Sequence, residues 1–187
     1  MTNATRIFLA AFIGCAFALS VQAQGITSFL SRSSELGAHF SAKNTGLTVL
    51  IPYDEDTMGE IRLVADLEGI ISGRENVPGA KLSYLHDNVI HRWNPSSGLQ
   101  VRLLFCPGVS VGIMRDRHLD MGLVIALTGD AGFDFVFNES PVTISFRFSG
   151  DAGCHLSDFN SDGCSMNLYK NGLYRLFYPE LSIRYRF

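Results

Sequence analysis

Lysine is nearly missing from this chain. Only Lys43, Lys81 and Lys170 occur, against twelve arginines in 187 residues. A soluble β-protein of this size carries many lysines on its solvated faces. Here charge is rationed to one strand parity and to loops. No basic run occurs and the formal net charge is -3, so no case exists for nucleic acid as a partner. Past the N-terminus no apolar run reaches the ~20 residues of a membrane helix. A helical 3.6-residue period of useful length is missing too, which leaves strands as the building element. His86, His91 and His118 have no metal-ligand spacing.

The N-terminus is a targeting segment. Arg6 is its lone basic residue, Ile7 to Leu19 is apolar, and Val21-Gln22-Ala23 has the small-x-small form of a cleavage site. This predicts a signal peptide over 1–23 and one mature domain over 24–187. Phe12-Ile13-Gly14-Cys15 is a rival lipobox, but its first position is Phe and the apolar run continues past Cys15. Export permits disulfides. Three cysteines stay in the mature chain. Cys154 and Cys164 flank a polar stretch and form the candidate bridge; Cys106 is expected mid-strand as a packed thiol.

The remainder alternates with period two, the pattern of half-buried strands. It is clearest at the C-terminus. Phe177, Pro179, Leu181, Ile183, Tyr185 and Phe187 share one parity; Tyr178, Glu180, Ser182, Arg184 and Arg186 share the other. Similar stretches lie at 34–42, 47–53, 60–71, 80–93, 99–114, 121–137 and 142–155, with a bulge expected near His86-Asp87-Asn88. Short turns are expected at 54–59, 94–98 and 138–141. The longest polar loop is expected at 156–172. Eight strands in simple order predict an all-β chain, an eight-stranded antiparallel up-and-down barrel. A soluble barrel has the same period with the faces reversed. The terminal Phe187, the scarce lysine, the aromatics near strand ends (Trp93, Phe135, Phe137, Tyr185) and the pairing potential of the polar parity favour the transmembrane form.

On these residues the chain resembles the small Gram-negative outer-membrane β-barrel proteins of the OmpA/OmpX-like type. The likeness rests on Leu181-Ser182-Ile183-Arg184-Tyr185-Arg186-Phe187, the signal peptide and glycine-punctuated strands such as Cys106-Pro107-Gly108-Val109-Ser110-Val111-Gly112 and Gly129-Asp130-Ala131-Gly132-Phe133. It implies a monomer in the cell outer membrane, contact with outer-membrane lipid, and assembly by the barrel-insertion machinery reading the last strand. It implies no shared activity.

If the polar parity is lumenal, the interior collects Arg62, Arg102, Arg147, Arg184 and Arg186 with Asp66, Glu68, Asp130, Asp134, Asp151 and Glu180, beside His39 and His155. Charges in so narrow a space must pair. The expectation is a side-chain-filled lumen and a non-enzymatic structural or surface role through extracellular loops. Two other readings compete with it. His155-Leu156-Ser157 sets a base and a nucleophile on one strand face, the pattern of a lipid A deacylase-like hydrolase, with Asp158, Asp162 or Glu180 to orient the histidine. A soluble periplasmic ligand-binding barrel is the other. No cofactor is implied. Asp158-Phe159-Asn160-Ser161-Asp162-Gly163, near Asp151 and His155, starts like a calcium loop but lacks the later bidentate Glu, so no metal is expected.

Overall fold

A computed structural model describes residues 34–73, 77–116, 119–160 and 163–187. The expected signal peptide, His118 and Asp162 lie outside the described residues, as do the side chains of Asp158, Phe159 and Asn160. Nine strands follow in order. They are β1 (Glu35–Phe40), β2 (Asn44–Pro52), β3 (Thr57–Asp66), β4 (Gly79–Ser96), β5 (Leu99–Asp116), β6 (Leu119–Phe137), β7 (Val142–Asn160), β8 (Gly163–Leu168) and β9 (Pro179–Arg186). Two helical turns interrupt them, α1 (Glu68–Ile71) and α2 (Lys170–Tyr174), the second running into a 3-10 turn at Arg175–Phe177.

Eight strands close a ring. Each of β1 to β6 pairs antiparallel with the next, β9 pairs with β7, and β9 also pairs with β1. β8 stands outside that ring, on the upper half of β7. The backbone N–H of Phe187 donates to Ser34 O at 3.0 Å and that of Arg186 to Pro141 O at 2.7 Å, tying the chain end into the seam.

The register fixes the tilt. From Phe40 one way, the ladder passes Leu181 to Phe146 on β7. The other way it passes Thr45, Ala65, Ala80, Ile113 and Leu123 and returns to β7 at Leu156, ten residues higher. Ten residues of about 3.3 Å against eight strands about 4.8 Å apart give a tilt of roughly 40°. At that size side chains alone fill the interior.

Each strand's pleat sends the two parities to opposite faces. Apolar side chains stand outward: Ile61, Leu63, Leu82, Val109, Val111, Ile125, Leu127, Phe148, Leu181 and Ile183 are all exposed. Polar ones are buried inside. A water-soluble barrel has the reverse arrangement. Trp93, Tyr185 and Phe187 are exposed near the end that carries the chain terminus, where interfacial aromatics are expected.

The wall is uneven. β4 to β7 run 18, 18, 19 and 19 residues, whereas β1, β2, β3 and β9 run 6, 9, 10 and 8. A membrane strand needs about 9–11 residues, so β1 and β9 each fall short of one crossing.

Several expected bounds change. The 60–71 strand ends at Asp66 because α1 follows it. The expected bulge falls slightly later, between Val89 and His91. Residues 156–172 are mostly ordered strand and helix rather than a loop, and the last strand begins at Pro179 rather than Phe177. Between them the chain coils, because proline starts a strand more readily than it continues one.

Candidate functional site

The lumen is built from side chains in three tiers. Nearest the chain terminus, Arg184 Nε donates to Glu35 Oε2 at 2.7 Å and its Nη2 contacts Asp134. Thr143 and Ser145 hydroxyls donate to Glu35 and Asp134 at 3.1 and 2.6 Å. In the middle, Arg147 reaches Glu60 at 2.7 Å, Asp87 at 2.9 Å and Asp134 at 3.3 Å. Arg62 meets Glu60 at 2.9 Å, Asp130 at 2.8 Å and Glu180 at 2.9 Å. Above, Lys81 Nζ lies 2.6 Å from Asp151, Thr128 donates to Asp151 at 2.7 Å, and Arg175 Nη2 meets Asp66 at 3.0 Å.

These pairs are buried, so their worth lies in mutual satisfaction. Charges taken from water cost several kcal/mol each, and only tight pairing with extra hydrogen bonds offsets that. An arginine fork that holds three acids on three strands does so. An apolar patch fills the remaining space: Leu50, Met58, Leu85, Leu104 and Cys106. Cys106 is the packed thiol expected.

Glycine makes room for the large lumenal groups. Gly37 sits opposite Arg184, Gly132 opposite Arg147, and Gly112 opposite Lys81. A Cβ on Gly37 would lie 2.6 Å from Arg184 Cγ, and one on Gly132 would lie 2.6 Å from Arg147 Cα. At Gly37, Gly112 and Gly132 the glycine sits where a charged side chain stands on the neighbouring strand.

Eight of the eleven expected lumenal charges are buried in this network: Arg62, Asp66, Asp130, Asp134, Arg147, Asp151, Glu180 and Arg184. Three are not in it. Glu68 rides out on α1 and pairs with Lys43 at the rim, 2.8 Å away. Arg186 turns to the carbonyls of Phe137 and Ser140. Arg102 is half-buried and donates to Gln100. Sequence reasoning missed Glu35, Glu60, Lys81, Asp87, Asp116 and Arg175. Inward parity signals Lys81, because Leu82 and Tyr84 face out. Asp87 keeps that parity, since the β3–β4 ladder runs unbroken to Asn88. Nothing in a strand pattern signals Arg175, which shares the parity of the outward Phe187; the helical turn rotates it inward.

The mouth far from the chain terminus differs. Met114, Val124, Ala126 and Tyr169 form a second buried apolar cluster. Asp116 at the top of β5 accepts the backbone N–H groups of Lys170 and Asn171 at 2.9 and 2.7 Å. The start of a helix leaves such donors unpaired, and Tyr169 offers no side-chain cap. Asp116 caps α2 from a distant strand.

His155 and Ser157 do share the inward face of β7, both buried. They do not form a dyad. His155 Nε2 lies 3.0 Å from Met114 O, so it carries the proton and donates. Among the described residues neither Ser157 Oγ nor His155 Nδ1 has a hydrogen-bond partner. Glu180 is occupied by Arg62 far below. Cys154 and Cys164 are both free and exposed. Cys154 sits opposite Leu168, four positions along β8 from Cys164, so the expected bridge does not form in this register. Among the described residues no group of His, Cys, Asp and Glu could hold a metal ion.

No family model matches the chain, and no curated protein matches it. Among solved structures it is similar to the N-terminal β-barrel domain of OprF from Pseudomonas aeruginosa, with a TM-score of 0.53 and 15% identity. The likeness covers 84% of this chain and 98% of that one. Such identity speaks to fold alone, and it agrees with the ring, the register and the outward apolar band: the chain has the closed eight-stranded antiparallel β-barrel fold of small outer-membrane proteins.

Proposed function

We propose that the protein resides in the outer membrane as a monomeric, closed barrel whose role is structural or a surface interaction at its extracellular end. The observation that carries this is the lumen: three tiers of paired charges fill it from Arg184 to Arg175. Paired, buried charges hold the strands in register and leave no wide aqueous path. The outward apolar band meets outer-membrane lipid. Residues 1–23 serve as the export signal, and β9 with Phe187 is the element offered to the barrel-insertion machinery. The role is non-enzymatic. Ser157 Oγ lacks the hydrogen bond to a base that an activated nucleophile uses.

The test is fractionation with detergent gels run with and without boiling. A folded barrel pellets with outer membranes and migrates faster unboiled. Recovery in the soluble periplasm overturns the reading. N-terminal sequencing of the mature protein is expected to begin at Gln24. Ser157→Ala is expected to leave lipid A unchanged; a lost lipid modification in that variant would overturn the non-enzymatic role.

A further inference from the structure

The barrel wall has a break. On one edge of β7 the β9 ladder stops at Phe148, opposite Pro179, and the β8 ladder starts at Cys154, opposite Leu168. Ser149 to Gly153 face no strand there. The residues 169–178 cover the gap instead. One backbone bond joins them to it, Tyr169 N–H to Gly153 O at 2.9 Å.

The depth of this gap gives it consequence. Outward-facing neighbours on the same stretch are Phe148, Leu127 and Ile125, all exposed and apolar. In hydrocarbon an uncovered run of backbone N–H and C=O groups costs several kcal/mol per group. So the cover must shut tightly, and two glycines let it. A Cβ on Gly172 would lie 2.4 Å from Asp151 O, and one on Gly150 would lie 2.7 Å from Leu176 Cδ2.

The cover is two-faced. Outward it shows Leu173, Tyr174, Leu176 and Phe177, the last 75% exposed. These continue the lipid-facing band around Phe148 and Gly150. Inward it sends Tyr169, Asn171 and Arg175. It is latched by side chains rather than a ladder: Asp116 holds the start of α2, and Asp66 holds Arg175. Behind it lie the apolar cluster of Met114, Val124 and Ala126, and the unpartnered Ser157 Oγ and His155 Nδ1.

We propose that residues 169–178 form a lateral door in the barrel wall, and that an acyl chain of a bilayer amphiphile binds in the breach they cover. The chain lies against Leu173, Leu176 and Phe177 with the door shut. With the door open it reaches Tyr169 and Met114, where Ser157 and His155 offer the polar end a donor and an acceptor. The occupant is a lipid chain because the outward face of the door is continuous with the lipid-facing band. This inference rests on the outer-membrane reading above.

The experiment uses the full-length protein in phosphatidylcholine vesicles whose acyl chains end in a diazirine. After irradiation, adducts are mapped by mass spectrometry. Adducts on Leu173–Phe177 and on Tyr169 or Met114 are expected, beside those on Leu127, Phe148 and Ile183 of the outer band. Adducts on the outer band with none on 169–178 would overturn the door and leave the membrane reading standing. No adducts on the band would overturn both. Asp116→Ala, checked for folding by heat-modifiable migration, is expected to raise the Tyr169 and Met114 adducts relative to the band by roughly tenfold, as loss of a charge-assisted latch implies. An unchanged ratio would overturn the latch and the door with it.

Discussion

The middle of this barrel and the mouth far from its C-terminus hold themselves together in different ways. In the middle every strand is laddered to both neighbours, and arginines bind acids from several strands at once. At the mouth the β7 ladder is interrupted on one side, an apolar cluster lies among a few buried polar groups, and single carboxylates clasp a helical turn. Around Arg147 and Arg62 a change in any one group removes a partner from several buried charges at once. Around Asp116 a change releases only two backbone donors, at the start of a short helix. The first region is stiff because its alternatives are costly. The second has an alternative close by.

The contrast is easiest to break from the stiff side. Arg147→Ala would strand Asp87 and leave Glu60 and Asp134 with one cation each, Arg62 and Arg184, and should cost about 3–5 kcal/mol. Guanidinium unfolding in detergent, followed by gel migration, measures it; a cost under ~1 kcal/mol would mean the tiers do not carry the barrel. Gly132→Val tests the same tier through space, since its first side-chain atom already meets Phe146 O at 2.2 Å. Overpacking of this kind costs about 1–3 kcal/mol.

At the mouth the effects shrink. Asp116→Ala should cost about 1 kcal/mol, the worth of a helix cap. It should raise amide exchange at Lys170 and Asn171 without touching β9. Equal protection loss in β9 would show that mouth and middle unfold together. Ser157→Ala removes a buried hydroxyl that has no partner. Its effect on stability should lie within about 0.5 kcal/mol of zero.

The smallest effect lies outside the barrel, in the turn between β2 and β3. Asp54 accepts the backbone N–H groups of Asp56 and Thr57 at 2.9 and 2.7 Å. The Thr57 side chain, with those N–H groups, holds its carboxyl below the ordinary carboxylate range. The charged form is therefore favoured by folding. Its contribution is present above the unfolded value and fades as pH falls through the folded one. NMR titration should find the depressed midpoint, and Thr57→Ala should move it upward.

Much of the middle was legible in the residues. Arg62, Asp130, Arg147 and Arg184 fall on the inward parity of regular strands, and a period of two is a local signal. Glu68 and Arg175 were not legible for one reason in two guises. Each sits in a helical turn beside a strand, where the parity rule fails. α1 carries Glu68 out to Lys43, and the turn after α2 carries Arg175 in to Asp66. The Cys154–Cys164 pairing failed on register, which depends on how far β7 and β8 run before they turn. His155 and Ser157 were correctly placed on one face, but the carbonyl that draws the imidazole away belongs to Met114 on β5, 41 positions earlier.

By itself the sequence determined that this chain is a strand protein with an apolar and a charged parity, because side-chain alternation is a property of each strand alone. Only the tertiary structure decided which acids each arginine holds. Closure of β9 onto β1 brings together groups as far apart in sequence as Arg184 and Glu35. It also decided where the wall breaks, because a ladder is a relation between two strands and neither strand states it alone.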